Sequence, residues 1–203
     1  MIRPAKPEDV TQVVPLLLQA MGELAAKLTH TQDQKTINRI FEHFFQKENN
    51  QYSYENTLVF EEAENVIGLL TAYDGAKLIE LRKPFLAYLN KTSAEHNNQD
   101  AETQSGEFYL DCISVHASAQ GKGIGKQLIQ AGIAMGWQLG HQNIGLLVEQ
   151  NNVGALKLYL QMGFKIQNEK EFMSGLYHHM VFGAQASKWS ESLPENSRNK
   201  RFW

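Results

Sequence analysis

The 203-residue sequence predicts an α/β fold. Apolar residues recur at helical spacing near the N-terminus, short β-rich runs follow, and one hydrophobic run passes directly into a glycine-rich turn that opens another helical pattern. With 42% hydrophobic and 20% charged residues, the composition is that of an ordinary globular protein. The length predicts one domain over 1–183, with a helical insertion and mobile polar loop at 77–106, and a polar C-terminal tail over 184–203.

Taken in order, a short extended start leads to Pro7, Glu8 and Asp9, which suit a first helical turn because proline tolerates that place and carboxylates favour the positive helix end. Val10, Val13, Val14, Leu17, Leu18 and Met21 then mark one helical face, and Ile37, Ile40, Phe41, Phe44 and Phe45 mark a second. Thr57 to Glu62 and Val66 to Tyr73 read as a β-hairpin around Ala63-Glu64-Asn65, with a bulge expected at Gly68. Lys77 to Lys91 has a mixed helical pattern. Thr92 to Gly106 is polar without apolar periodicity and reads as a mobile loop.

Glu107 to Val115 is a nearly continuous apolar run, as expected of a strand buried on both faces. A helix follows from about Gly123 to Leu139, then a strand over Ile144 to Val148, then a helix carrying Ala155, Leu158, Tyr159 and Met162. Gly163 is placed to end that helix in a left-handed conformation. Phe164 to Phe172 and Leu176 to Phe182 form the expected last strand pair.

The 19 basic and 22 acidic residues leave a formal charge of −3, without the basic excess that neutralises nucleic-acid phosphates. No nucleic-acid partner is expected. A single cysteine, Cys112, excludes an intramolecular disulfide framework, and Met1-Ile2-Arg3-Pro4 is not followed by the apolar run of a signal peptide. A cytoplasmic location is therefore expected. No window approaches the run of about 18 apolar residues that would suggest a membrane span. Adjacent His178 and His179 alternate across a strand, and no Cys/His spacing resembles a zinc site, so no metal is expected.

Chemistry concentrates at Gln120-Gly121-Lys122-Gly123-Ile124-Gly125. A strand feeding a glycine turn at a helix start gathers backbone N–H groups beside the positive end of the helix dipole, which makes an anion site. A P-loop fails here, because Gly125-Lys126 is followed by Gln127 and the earlier glycine is replaced by Gln120. A dinucleotide fingerprint fails as well, since the spacing is G-x-G-x-G and the turn lies past mid-chain.

These residues, with Ile113-Ser114-Val115 before them and Val148, Asn152, Ala155, Leu158-Tyr159 and Gly163-Phe164 after them, resemble the GNAT superfamily of N-acetyltransferases. That family's pyrophosphate motif is Gln or Arg, two residues, Gly, one residue, then Gly or Ala. The resemblance runs from about Ile2 to Phe182 and is poor over Lys77 to Gly106 and in the tail. It implies a central twisted mixed sheet of six to seven strands with flanking helices and a V-shaped split between the two central strands. It also implies acetyl-CoA as co-substrate, with Ile113, Ser114 and Val115 along the pantetheine arm and Gln120, Gly121, Lys122, Gly123, Ile124, Gly125 and Lys126 at the pyrophosphate. Asn152 would help to position the arm, a role compatible with a helix N-cap.

The activity so implied is transfer of an acetyl group to a primary amine of a small molecule or peptide by direct attack, in a monomer or homodimer. Tyr159 matches the family's general acid for the departing thiolate. For the base, Asp111 is the first candidate, because a carboxylate inside an apolar strand is costly unless it is hydrogen-bonded or useful. Glu107 and Glu149 are others, and Tyr109 stands where histone-type relatives carry a glutamate. Cys112 as an acyl-enzyme nucleophile competes with a buried strand cysteine. Tyr73, Phe85 and Tyr88 are candidates for the acceptor pocket. The rival from another class is a non-catalytic acyl-CoA-binding sensor or interaction module.

Overall fold

The computed structural model describes residues 1–89 and 101–183. Most of the polar stretch expected to be a mobile loop, and the whole tail, lie outside the described residues. Among those residues, seven strands form one sheet in the order β1-β2-β3-β4-β5-β7-β6: β1 (Ile2–Pro4), β2 (Thr57–Glu62), β3 (Asn65–Asp74), β4 (Glu107–Val115), β5 (Asn143–Glu149), β6 (Lys165–Phe172) and β7 (Gly175–Gly183). The helices are α1 (Val10–Met21), α2 (Glu23–Thr29), α3 (Gln34–Phe45), α4 (Leu78–Tyr88), α5 (Ile124–Gln138) and α6 (Val153–Gln161). This is the expected mixed α/β sheet with flanking helices.

Strand alternation divides the core into two layers. Val59, Leu69 and Cys112 face α1, α2 and α3, together with Val13, Leu17, Phe41 and Phe45. Leu58, Leu70, Leu110 and Ile144 face the opposite way, onto Leu128, Ile129 and Ile133 of α5 and Tyr159 and Met162 beside them. Burying each such side chain contributes about 1.5–3 kcal/mol. The hydrophobic effect therefore clamps the sheet between two helical layers and leaves the strand ends free for chemistry.

Three local features differ from the sequence expectation. The first helix ends at Met21, as its apolar face does, but beyond Gly22 (φ 53°, ψ −127°) a further short helix, α2, follows that the spacing does not predict. The hairpin bulge falls on Ile67, where the register passes from Phe60↔Gly68 to Glu61↔Val66, rather than on Gly68 itself. Gly68 answers to packing, since a Cβ there would sit 3.0 Å from Leu128 Cδ1 and 3.2 Å from Ile124 Cγ2. Third, the polar stretch ends indoors: Glu102 and Thr103 are buried just ahead of β4.

The central split is plain in the pairing. β4 and β5 run parallel at Glu107↔Asn143, Phe108↔Ile144 and Tyr109↔Gly145. From there β5 keeps company with β7 as far as Glu149↔Tyr177, and β4 follows β3 as far as Gly68↔Val115. A second bulge falls on β4, where Thr71↔Cys112 is followed by Ala72↔Leu110 and leaves Asp111 as the extra residue. Bulges bend a strand and re-aim a side chain.

The closed end of the V is pinned across three strands. Glu107 on β4 accepts from Thr103 Oγ1 at 3.1 Å and Gln104 N at 3.2 Å, and its other oxygen meets His179 Nε2 on β7 at 2.9 Å. The carboxylate passes over Gly145 on β5, where any Cβ would collide with it. Gly145→Ala is accordingly expected to lower stability by about 1–3 kcal/mol. Equilibrium urea denaturation measures this, and an unchanged midpoint would show that the pin does not need a bare residue beneath it.

Candidate active site

At the open end, β4 runs through a short 3₁₀ turn, Ala117–Ala119, into the glycine turn and then α5. Gly121 (φ 77°) and Gly123 (φ 79°) adopt the left-handed conformation that disfavours side chains, whereas Gly125 has ordinary backbone and open packing. The helical ladder of α5 begins with Gln127 N donating to Gly123 O at 3.2 Å. Helix geometry therefore leaves the N–H groups of Ile124 and Gly125, in the first turn, without helical acceptors. Gly121, Lys122 and Gly123 are exposed, as is Lys126. The turn thus presents free amide hydrogens and the positive end of a 15-residue helix to solvent.

Along the split, His116 N donates to Ile67 O on β3 at 2.9 Å. By strand alternation the backbone groups of Ile113 and Val115 then face away from β3, into the gap. The Val115 carbonyl is already engaged: Gln120 Nε2 and Gln19 Nε2 both donate to it at 3.1 Å. Gln19 also holds Ser114 Oγ at 2.9 Å. Asn152 caps α6 by accepting from Ala155 N at 3.1 Å, the structural half of its expected role.

Beneath the split lies a cavity of about 560 Å³, walled by α1 and α2 on one side and by β4, β5 and α6 on the others. It brings Tyr159, Asp111, Cys112, Glu149 and Asn152 together. Tyr159 projects from α6 with its ring 5.8 Å from that of Phe164. Burial, with a smaller contribution from Cys112, pushes its hydroxyl up to about 12, so it is protonated near neutrality. Burial likewise raises the Cys112 thiol well above its usual range, helped by Asp111 and Glu102. That is the environment of an inert strand cysteine and not of an activated nucleophile.

Asp111 sits in a hydrogen-bonded cluster that sequence reasoning missed. It accepts from Gln51 Nε2 and from the Tyr73 hydroxyl, both at 3.2 Å. The same two donors reach Glu102 Oε1, at 2.9 and 3.2 Å. Arg82 of α4 pairs with Glu102 through Nη2 and donates from Nε to Gln51 Oε1 at 3.1 Å. Burial first, and then the neighbouring Glu102 charge, raise Asp111 to about 7 against the opposing pull of Gln51, Arg82 and Tyr73. A carboxyl poised near neutrality in a cavity is the usual mark of acid–base work.

Other candidates lie elsewhere. Glu107 serves the pin at the closed end and does not line the cavity. Glu149 does, accepting from the Tyr177 hydroxyl at 3.3 Å. Phe85 is packed among Phe41, Phe44 and Tyr52, and Tyr88 stacks on His43 at 5.3 Å, so neither reaches the cavity wall. Tyr73 is not part of the wall and touches it through the contacts of its hydroxyl with Gln51, Glu102 and Asp111. His179 is consumed by Glu107, while His178 points to Glu169 at 3.9 Å. Among the described residues, no group of three or more His, Cys, Asp or Glu is arranged to hold a metal ion, and no helix is long and apolar enough to cross a membrane.

The position of Asp111 has a stability consequence. A carboxyl raised from 3.8 to about 7 on folding favours the native state at low pH, and that contribution is lost as pH rises between those values. Asp111→Asn keeps an acceptor for Gln51 without the buried charge. It is expected to melt higher than the parent at pH 8, with a smaller difference at pH 5. Thermal melts at both pH values decide this, and an equal difference at the two would contradict it.

Known proteins share both the fold and the motif region. An N-acetyltransferase of Staphylococcus aureus Mu50 superposes with a TM-score of 0.78 at 24% identity, over 90% of this chain and 100% of that one. The yncA protein of Salmonella typhimurium, determined with its cofactor acetyl-CoA, gives 0.56 at 17% identity, over 91% and 93% of the two chains. In sequence, the spermine/spermidine N(1)-acetyltransferase of Bacillus subtilis (strain 168) is 32% identical over 74 residues, 36% of this chain and 49% of that protein. The mycothiol acetyltransferase of Corynebacterium jeikeium (strain K411) is 32% identical over 76 residues, 37% of this chain and 21% of its own length. The match thus spans half or less of these curated relatives. The profile of the Acetyltransferase (GNAT) family covers residues 21–164, from the end of α1 through the glycine turn and past the Tyr159 helix, and the chain belongs to that family.

Proposed function

We propose that this single domain is an acetyl-CoA-dependent N-acetyltransferase acting on a primary amine of a small molecule or peptide. The observation that carries this is the meeting of a neutral phenol, Tyr159, and a carboxyl held near neutrality, Asp111, in one cavity under the open end of the sheet. Support for the donor comes from the family and from the relative determined with acetyl-CoA. Support for an amine acceptor comes from the carboxylates lining the cavity, Glu23, Glu102, Asp111 and Glu149, which outnumber Lys27 and Arg82 there.

Coenzyme A fits the residues present. The turn from Gln120 to Lys126 would take the pyrophosphate, chiefly on the amides of Gly121 to Gly125, and the gap-facing backbone of Ile113 and the Val115 N–H would receive the pantetheine arm as a partial strand, with Ser114 between them. Asn152 at the opposite lip would steady the arm. In the reaction the ammonium proton of the acceptor passes to Asp111, the freed nitrogen attacks the thioester carbonyl carbon, and a gap-facing backbone N–H of β4 near Val115 polarises the carbonyl oxygen. The C–S bond then breaks, the departing thiolate takes its proton from Tyr159, and the second proton lost by the nitrogen as it becomes an amide restores the phenol, while the proton on Asp111 leaves to solvent.

The test is release of free thiol from acetyl-CoA in the presence of an amine panel. Tyr159→Phe is expected to lower kcat about 10²-fold or more while acetyl-CoA still raises the melting temperature, since a positioned general acid contributes at least that much. An unchanged kcat would remove Tyr159 from the mechanism. Gly123→Ala forces a side chain into a left-handed backbone, which costs about 1–2 kcal/mol, and is expected to raise the KM for acetyl-CoA about tenfold with kcat little altered. Stabilisation by acetyl-CoA with no amine-dependent thiol release would favour a non-catalytic acyl-CoA-binding module.

A further inference from the structure

Sequence motifs place no role on Gln51, Arg82 or Glu102, yet these three side chains converge on the proposed base. Arg82 Nε donates to Gln51 Oε1, which fixes the amide so that Gln51 Nε2 faces the carboxylates. Five close contacts then join Gln51 Nε2, the Tyr73 hydroxyl, Glu102 and Asp111: Gln51 to Tyr73 at 3.1 Å, Gln51 to each carboxylate, and Tyr73 to each carboxylate. Gln51 Nε2 carries two hydrogens and the hydroxyl one. With both carboxylates ionised, three hydrogens serve five contacts. A proton on Asp111 Oδ2 relieves the shortage by donating to the Tyr73 oxygen, which leaves the Tyr73 hydrogen for Glu102.

Which carboxylate carries that proton is decided by Arg82. Its guanidinium pairs directly with Glu102 and leaves Asp111 as the carboxyl with no direct cationic partner. Glu102 is nearly sealed from water, so its charge acts on Asp111 with little screening.

We infer that Glu102 is a positioning residue whose Arg82-held charge, passed on through Gln51 and Tyr73, sets the pH at which Asp111 accepts a proton from the acceptor amine. The inference rests on the reading of Asp111 as base. The other groups facing Asp111 are Tyr52 after α3, Tyr73 on β3, and Tyr109 and Cys112 on its own strand. Glu23 and Lys27 on α2, Glu149 on β5 and Tyr177 on β7 line the same cavity, and Lys170 on β6 donates to the Glu102 backbone carbonyl at 3.4 Å. Burial holds the phenols and the thiol protonated near neutrality. Glu102 and Arg82 are the charges bonded into the cluster around Asp111.

The experiment is a pair of charge deletions with opposite expected signs. Glu102→Gln removes a negative neighbour and frees Arg82, so the acid limb of the kcat/KM profile moves to lower pH by about one unit or more. Arg82→Gln leaves two carboxylates without their cation, so the limb moves to higher pH. Glu102→Asp keeps the charge and is expected to retain the parent limb. A packing defect would not shift the two deletions in opposite directions, so a limb that stays in place in Glu102→Gln, or moves the same way in both, overturns the inference. Infrared titration of the Asp111 carboxyl stretch, assigned by its loss in Asp111→Asn, reads the same coupling without turnover. If no amine is acetylated, or if Asp111→Asn retains full activity, the catalytic reading falls, and the infrared midpoint alone then decides Glu102. A midpoint lowered in Glu102→Gln upholds the coupling, and an unmoved midpoint overturns it.

Discussion

β4 and β5 run side by side for three residue pairs and then separate, and the separation leaves backbone polar groups of two central strands facing a gap instead of each other. A strand edge in the middle of a sheet must be satisfied by something, because unpaired N–H and C=O groups are costly once water is excluded. Here Gln19 and Gln120 supply donors to the Val115 carbonyl, and the remaining groups of the edge form a template for an extended ligand. The glycine turn, the cavity and both titratable candidates are arranged around that gap. Its angle is held at the far end by Glu107 reaching over Gly145 to His179.

Much of this was legible in the sequence, and the reasons differ from residue to residue. The glycine turn could be read because positive φ at Gly121 and Gly123 demands glycine, and because a strand and a helix with clear periodicity bracket it. Asp111 stood out as an acid within an apolar strand, and the structure adds that it is also the bulged residue, a geometry that pattern alone does not reveal. Tyr159 was found through its place in a second motif. The left-handed stop at Gly163 was foreseen from the end of helical spacing, and its φ of 95° bears that out.

What stayed hidden was hidden for physical cause. Glu102 lies in a polar stretch with no periodicity, and the cation it pairs with, Arg82, lies 20 residues away on a different element. Gln51 precedes Tyr52 in a run of amides that reads as surface, yet both are buried. Phe85 and Tyr88 looked like pocket residues because helix periodicity does not say which layer a helix packs against, and α4 turns Phe85 into the aromatic core beside α3. The cluster around Asp111 also has an energetic cost, since two carboxylates share one guanidinium away from water.

The break at Gly22 has a consequence for how such a protein can diversify. α2 is seven residues long, too short to hold its shape alone, and takes its place from the layers beneath it and from Lys27 reaching the Met173 carbonyl in the β6–β7 turn at 3.4 Å. It nevertheless supplies Glu23, Leu24, Lys27 and Leu28 to the cavity wall. The split and the glycine turn are tied into the sheet and its longest helix, whereas this wall is a short separate element beyond Gly22. Substitutions on it can re-shape the cavity while leaving the sheet, the split and the glycine turn as they are.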